Sequence, residues 1–361
     1  MNSTKILFVS DTSGYGGLTK VVSNVAGQIK LEGCDVDLCF FYKANPELVK
    51  RLKDAQVIEL NLTSERKKSK RYFKLFTEGL WKLYKLIRAN KYEYVVSFAQ
   101  TSLFLLVLLR FVLGYKLVVS ERGDPNTGFG IFDKLRRYIY RFADKFVFQT
   151  PNARNCFPES IRRKSVVIPN PITIPPDAWD VADTKKAVVT FARFQISQKR
   201  HDILLEGFRL FHEKHPDYSL DLYGDGDDME RVKSMVLEKD LSSSVFFRGT
   251  STNVLHDLLS YRLFVITSDF EGMPNALMEA MAVGLPVIST NWRPGGVTSL
   301  IDDHVNGVIV PMQNPTALAN AMEEVLSNED KMMEMGRRAR KSMERFDPKI
   351  IYKKWGEVFI D

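Results

Sequence analysis

Cysteine is scarce, with Cys34, Cys39 and Cys156 the only three in 361 residues. An odd count without CxxC spacing excludes a disulfide framework, and their apolar neighbours describe small core residues, so a reducing compartment is expected. Long apolar runs are also missing. The richest stretch, Thr101 to Val119, is broken by Arg110, Gly114 and Lys116 and falls short of the ~18 residues of a membrane span; it reads as a short buried helix and then a strand. The run Ile6 to Val9 is too short for the ~7–15-residue core of a signal peptide, and a cytoplasmic location is expected. His212 and His215 lack a third ligand, so no zinc site is expected there. There is no RNP-type aromatic motif, zinc-finger spacing or basic-region zipper, and nucleic acid is not an expected partner. No repeat of ~20–50 residues is visible, which argues against solenoids and propellers.

What is present is globular composition, 45% hydrophobic and 26% charged, in a chain long enough for two domains of ~150 residues. The net charge of +7 hides an asymmetry: residues 1–170 carry 29 Lys and Arg against 15 Asp and Glu, residues 171–361 carry 22 against 29. The basic half suits anionic lipid or a phosphorylated substrate.

Short β-rich apolar runs alternate with stretches of helical period, the pattern of doubly wound parallel sheets. Strands are expected at 5–10, 35–41, 56–60, 94–98, 116–121, 145–149 and 165–169, then at 187–192, 219–224, 245–248, 262–267, 286–290 and 307–310. Between the two sets, residues 169–186 hold four prolines and no helical period, which marks a linker. Residues 1–170 and 171–345 are thus read as two domains, with a helix in 346–361 as a candidate to cross back to the first. Two open α/β domains would form a cleft at the carboxyl ends of their strands, so chemistry is expected in loops that follow strands.

The first strand runs into Gly14-Tyr15-Gly16-Gly17 before a helix, which fits an anion site or a tight turn. The dinucleotide fingerprint fails, because Thr19 stands where its third glycine belongs and the second strand ends at Lys43 rather than an acid. In the second half Arg193 and Lys199 flank a strand-to-helix loop and could neutralise one diphosphate, or form a solvated basic loop. The segment from Ser268 to Ser289 delivers Glu271 into a Gly-Met-Pro-Asn turn, then a helix from about Asn275 to a cap at Gly284. Glu279 lies on that helix among apolar residues. A carboxylate there needs a polar partner, either ribose hydroxyls or a neighbouring side chain.

In this order the motifs resemble the retaining glycosyltransferases of family 4, with the two-domain GT-B fold. The resemblance covers nearly the whole chain and rests on Gly16-Gly17, Ile168-Pro169-Asn170-Pro171, Arg193 with Lys199, Tyr223-Gly224-Asp225-Gly226, Glu271 with Glu279, Arg293-Pro294-Gly295-Gly296 and Asn306-Gly307. It implies that Glu271 and the backbone of Gly272, Met273, Pro274, Asn275 and Ala276 hold donor sugar and diphosphate, Glu279 the ribose, and Arg193 and Lys199 the diphosphate. Gly17 would approach phosphate or acceptor, and Arg248, Gly249 and Thr250 would lie beside the base. The implied substrates are a nucleotide sugar, with uridine the favoured base, and a glycan acceptor, lipid-diphosphate-linked in bacterial polysaccharide synthesis; no cofactor is implied. Many members carry a histidine near the transferred sugar, whereas this chain has Ser120-Glu121-Arg122-Gly123-Asp124-Pro125, which makes Glu121 and Arg122 candidate acceptor or transition-state contacts. Ala192 also replaces a usual glycine.

Three rivals share these features. Asp225 and Asp227 form Asp-x-Asp, a metal motif of the other large glycosyltransferase fold, but Asp227 and Asp228 also make N-caps for a helix beginning near Met229. A nucleotide-sugar epimerase or a catalytically idle partner of another transferase could share the fold. Residues 66–91 carry ten Lys or Arg against the single acid Glu78, with Phe73, Phe76, Leu80, Leu83, Tyr84 and Ile87 on one helical face and Lys74, Lys82 and Lys85 turned away. That pattern suits peripheral contact with an anionic membrane through Lys67, Lys68, Lys70 and Arg71, or packing on the sheet with only the charges in solvent.

Overall fold

Parallel strands buried on both faces read as continuous β-branched and apolar runs, and those runs become the strands here. A computed structural model of the chain describes residues 4–10, 17–31, 33–42, 56–60, 62, 75–98, 100–126, 135 and 138–360. The first seven strands are β1 (Lys5–Ser10), β2 (Asp35–Phe40), β3 (Gln56–Glu59), β4 (Tyr94–Ser97), β5 (Lys116–Glu121), β6 (Lys145–Phe148) and β7 (Ser165–Val167). They form one parallel sheet in the order β3-β2-β1-β4-β5-β6-β7. The next six are β8 (Ala187–Phe191), β9 (Ser219–Tyr223), β10 (Val245–Gly249), β11 (Leu263–Ile266), β12 (Val287–Thr290) and β13 (Val308–Val310). They form a second parallel sheet in the order β10-β9-β8-β11-β12-β13.

The chain divides into residues 1–171 with 349–361, and residues 172–348. In the first unit the two faces of the sheet alternate along β1. Leu7 and Val9 join a core with Leu83, Ile87 and Leu106, while Ile6 and Phe8 join another with Val22, Val25 and Trp355. The helices behind these residues are α1 (Gly17–Leu31), α2 (Leu80–Asn90), α3 (Gln100–Leu113) and, from the far end of the chain, a helix at Pro348–Val358. Trp355 of that last helix is fully buried and stacks on Phe98 at 5.7 Å. Cys39 is buried in this unit, burial pushes its thiol pKa up, and all three cysteines are free.

Two expectations need correction. The segment 172–186 is no free linker, because Ile172 and Trp179 enter the core of the second unit and the Trp179 indole donates to the Tyr261 carbonyl at 2.6 Å. Most of its other residues are exposed, and the boundary between the units falls at 171/172. Lys82 does not point away: its ammonium donates to the Leu60 carbonyl at 2.7 Å and pairs with Glu78 at 2.6 Å. A wide π turn at Leu75–Gly79 precedes α2 and shifts the 3.6-residue phase, so Phe76 lies exposed while Leu83 and Ile87 remain buried. Phe73, Lys74, Lys67, Lys68, Lys70 and Arg71 lie outside the described residues.

In each sheet the strand order reverses between the first strand of the unit and the one that joins its other side: β1 with β4, and β8 with β11. Loops leaving the carboxyl ends of two such strands diverge to opposite faces and leave a crevice, where ligands of open α/β sheets bind. Arg193 follows β8, and Glu271 follows β11.

Candidate active site

The loop after β8 is shaped by its neighbour. Phe194 N–H donates to the Asp225 carbonyl at 3.0 Å, and Ala192 N–H to the Tyr223 carbonyl at 3.0 Å. Any side chain at Gly224 or Gly226 would collide with this backbone: a Cβ would stand 2.0 Å from the Ala192 oxygen or 2.4 Å from the Phe194 oxygen. The Tyr-Gly-Asp-Gly motif is therefore a packing device for the loop that carries Arg193. The Asp228 carboxylate accepts the first N–H of α4 (Ile196–Lys199), from Ile196 at 2.7 Å, and makes no side-chain cap on its own helix as the sequence led us to expect. Asp225 and Asp227 are exposed, and Asp225 accepts the Gly226 N–H at 2.8 Å. Among the described residues no group of three His, Cys, Asp or Glu is placed to hold a metal.

The loops after β8 and β11 are latched by several contacts. The Lys199 ammonium pairs with a Glu271 carboxylate oxygen, and Ser268 Oγ donates to that same oxygen at 2.7 Å. Gln198 Nε2 reaches the Phe270 carbonyl at 3.1 Å, Asp269 N–H reaches the Gln198 carbonyl at 2.9 Å, and Thr267 Oγ1 donates to the Lys199 carbonyl at 2.9 Å. Arg200, left-handed at φ 52°, grips Asp202 with two donors and Asp269 with a third. Hydrogen bonds donated to Asp202, opposed by burial and reinforced by Asp269, hold the Arg200 pKa above its usual value. The turn itself is fixed from behind by Arg293, whose carbonyl accepts the Glu271 N–H at 3.2 Å.

Glu271 is only 8% exposed. After it come Gly272, Met273 and Pro274, then α5 (Asn275–Val283), which has no side-chain cap at Pro274 and ends at Gly284. The positive end of its dipole faces the Glu271 turn. Ala276 is half-buried, and Glu279, also 8% exposed, lies within α5 among buried Leu277, Met278 and Ala280. Arg193 is exposed and makes no ion pair among the described residues. An exposed cation on the loop that also carries a part-buried Lys–Glu pair, near the start of a helix without a side-chain N-cap, can accept a dianionic group and orient a hydroxylated one.

Arg248, expected beside the base, is engaged by a buried acid. Its guanidinium is bidentate on Asp221, at 2.8 and 3.3 Å, while Gly249 gives its carbonyl to the Gly224 N–H at 2.7 Å and Thr250 is exposed. Asp221 is fully buried and also accepts from Lys185 at 2.8 Å and Tyr261 at 2.6 Å. Burial alone would raise its pKa; Arg248, Lys185 and Tyr261 together outweigh that and hold it below the usual carboxylate value. This cluster went unread in the sequence, although a lone acid inside the strand Ser219–Tyr223 was its signal. His201 was also passed over. It is 1% exposed against Phe194, and burial, aided by the Lys199 charge, lowers its pKa to about 4.

In the first unit, Gly17 opens α1 and Gly16 lies outside the described residues. Glu121 ends β5 and accepts from the Tyr140 hydroxyl. The Arg122 guanidinium lies against Phe98 and Trp355, 5.7 and 5.2 Å from their centroids, with Nε on Ser120 Oγ at 2.7 Å and Nη1 on Asn170 Oδ1 at 3.2 Å. Burial lowers its pKa to about 9.

Residues 176–342 match the family of glycosyl transferases group 1, and residues 15–174 match Glycosyltransferase Family 4. An uncharacterized glycosyltransferase of Haemophilus influenzae is 24% identical, with 96% of this chain and 97% of that one covered. A poly(ribitol-phosphate) alpha-N-acetylglucosaminyltransferase of Staphylococcus aureus is 28% identical over 49% of this chain and 36% of its own length. The Anabaena protein HepE, solved with UDP and glucose, superposes with a TM-score of 0.85 at 18% identity over 98% of both chains. Sheets, latched loops and these likenesses together define a GT-B glycosyltransferase. Within that class the chain is a family-4-like member, its two halves matched by the two successive domains of that family.

Proposed function

We propose that the protein is a retaining, metal-independent hexosyl- or N-acetylhexosaminyltransferase that uses a nucleotide sugar, with UDP the favoured nucleotide, and needs no cofactor. The observation that carries this reading is the part-buried Lys199–Glu271 pair at the switch point of the second sheet, headed by the N-terminus of α5. When a donor enters, Lys199 and Arg193 neutralise the diphosphate, the α5 amides support it, Glu271 orients the sugar hydroxyls and Glu279 meets the ribose. We assign no carboxylate pair as nucleophile and acid, so the two-carboxylate glycosidase route is not adopted here. The C1–O bond to the diphosphate breaks while the acceptor oxygen bonds C1 on the same face, and the acceptor proton passes to the leaving phosphate oxygen. Glu121 and Arg122 hold the acceptor side in place through the contacts described above.

The acceptor class we favour is a glycan on a lipid diphosphate, used in bacterial polysaccharide synthesis at the cytoplasmic face of a membrane. The basic first half and the phosphate polymer named for the Staphylococcus aureus relative support this. Among the described residues no helix is long and apolar enough to cross a membrane. The test is incubation with a panel of nucleotide sugars and lipid-linked acceptors, with product anomers read by NMR and a chelator arm. Net retention with chelator-resistant turnover is expected. Inversion, or restoration of lost activity by magnesium or manganese, would overturn the mechanism; an epimerised donor without acceptor would favour the epimerase.

A further inference from the structure

The two oxygens of the Glu271 carboxylate are held unevenly. Oε1 accepts two donors, the Lys199 ammonium and Ser268 Oγ, the latter at 2.7 Å. Among the described residues Oε2 meets only Gln198 Nε2, at 3.5 Å, and that amide gives its better bond to the Phe270 carbonyl at 3.1 Å. One oxygen is thus saturated and the other is left for a ligand. The two donors on Oε1 differ in their freedom to leave. Lys199 is a charge on a flexible stem, which a diphosphate would draw away. Its backbone would stay behind, because Thr267 Oγ1 donates to the Lys199 carbonyl at 2.9 Å and Asp269 N–H to the Gln198 carbonyl at 2.9 Å. Ser268 is fixed. It is fully buried just after β11, and its carbonyl accepts Thr290 Oγ1, from the end of β12, at 2.6 Å.

We infer that Ser268 is a positioning residue: it keeps the Glu271 carboxylate in place when Lys199 leaves it for the donor diphosphate, so that Oε2 can take a hydroxyl of the sugar. The inference rests on the nucleotide-sugar reading proposed above and names the residue that secures Glu271 during the exchange. When the ammonium departs, a nearly buried carboxylate loses its counter-charge, and an uncompensated charge in that setting is costly. A neutral hydroxyl already bonded to the same oxygen, together with the start of α5, limits the cost. In the free protein the ammonium shares Oε1, so it partly covers for the hydroxyl. In the donor-bound protein nothing does. The Ser268 hydroxyl therefore stabilises the liganded site more than the empty one, and the difference depends on the charge of Glu271.

Two double-mutant cycles on the full chain test this, one without ligand and one with it. In the first, urea denaturation near neutral pH measures the cost of Ser268→Ala in the wild type and in Lys199→Met. The unfolding constant should rise at least ~3-fold more in the Lys199→Met background, where the hydroxyl is the main donor left on Oε1. An equal or smaller rise overturns the proposal. In the second, calorimetric UDP binding and turnover of a nucleotide sugar are compared for wild type, Ser268→Ala, Glu271→Gln and the double variant. Ser268→Ala should weaken UDP binding at least ~3-fold and lower kcat/KM at least ~10-fold. Both losses should shrink to within about twofold when Glu271 is already Gln, because no charge is then left behind. Losses that persist undiminished in that background show a merely structural serine and overturn the proposal. Should Lys199→Met not fold, the second cycle decides alone. A wild type that binds no UDP strikes instead at the donor assignment, and the ligand-free cycle then decides on Ser268, so the two failures are told apart.

Discussion

Two glutamates follow central strands of the two sheets, and their surroundings differ. Glu271, after β11, is tied to a lysine that comes from the loop after β8, seventy-two residues away. Glu121, at the end of β5, accepts a neutral tyrosine hydroxyl nineteen residues on. The next residue, Arg122, is laid between aromatic rings and bonded to Asn170. In the second unit the charged groups cross the switch point and hold two loops together, so the pair can exchange its partner for a ligand. In the first unit the same residue types are absorbed into packing. Similar charges at similar strand ends are therefore held across two loops in one case and within packing in the other, and on the function proposed above the first arrangement is the reactive one.

The largest effect that would break this comparison is on turnover. Glu271→Gln should lower kcat/KM at least ~10²-fold, comparable to losing one preorganised transition-state group, whereas Glu121→Gln should stay within about tenfold of wild type. Equal losses in two folded variants would erase the distinction. Next, Arg193→Met or Lys199→Met should each remove roughly 2–4 kcal/mol of transition-state stabilisation while a chelator leaves the wild type active. A steady-state comparison of the two variants with and without chelator decides it. Arg122→Met should act on the fold instead: urea denaturation should show a loss of about 1–3 kcal/mol, with nucleotide affinity unchanged, because buried hydrogen bonds to Ser120 and Asn170 disappear. A selective loss of affinity without destabilisation would move Arg122 into the site.

The smallest effect concerns His201. With a folded pKa lowered to about 4 from an ordinary 6.5, the unfolded chain binds more protons throughout that window. Its contribution to stability is complete above pH 6.5 and falls as pH drops toward 4, by roughly 0.7 kcal/mol between pH 7 and pH 6. A folded His201→Phe variant should lose that part of the acid slope in a denaturation series. An unchanged slope would show that His201 does not supply it.

Much of the fold was legible because a strand buried on both faces leaves an uninterrupted apolar run, as Leu117 to Val119 does in β5. The Glu271 turn and its helix were legible from Pro274 and Gly284. The pairing of Lys199 with Glu271 was not, since it depends on β8 lying beside β11, a matter of sheet order that local pattern does not contain. Asp221 went unread for a similar reason: its partners Lys185, Arg248 and Tyr261 come from three separate segments. The phase of residues 75–79 failed because one wide turn defeats a 3.6-residue count, and the anchoring of the segment 172–186 through Trp179 went unread because one buried tryptophan among exposed residues leaves no period.

Trp355 has a consequence for the order in which the protein is made. A ribosome delivers β1 and β4 early, but the ring that covers Phe8 and Phe98 and flanks Arg122 arrives only after the whole of residues 172–348. The second unit has all its own strands in one continuous stretch and can close as soon as that stretch is free. The first must wait with an apolar face uncovered through the synthesis of its neighbour, so a chain halted before residue 349 should expose that face to chaperones even though all seven strands of its sheet are present.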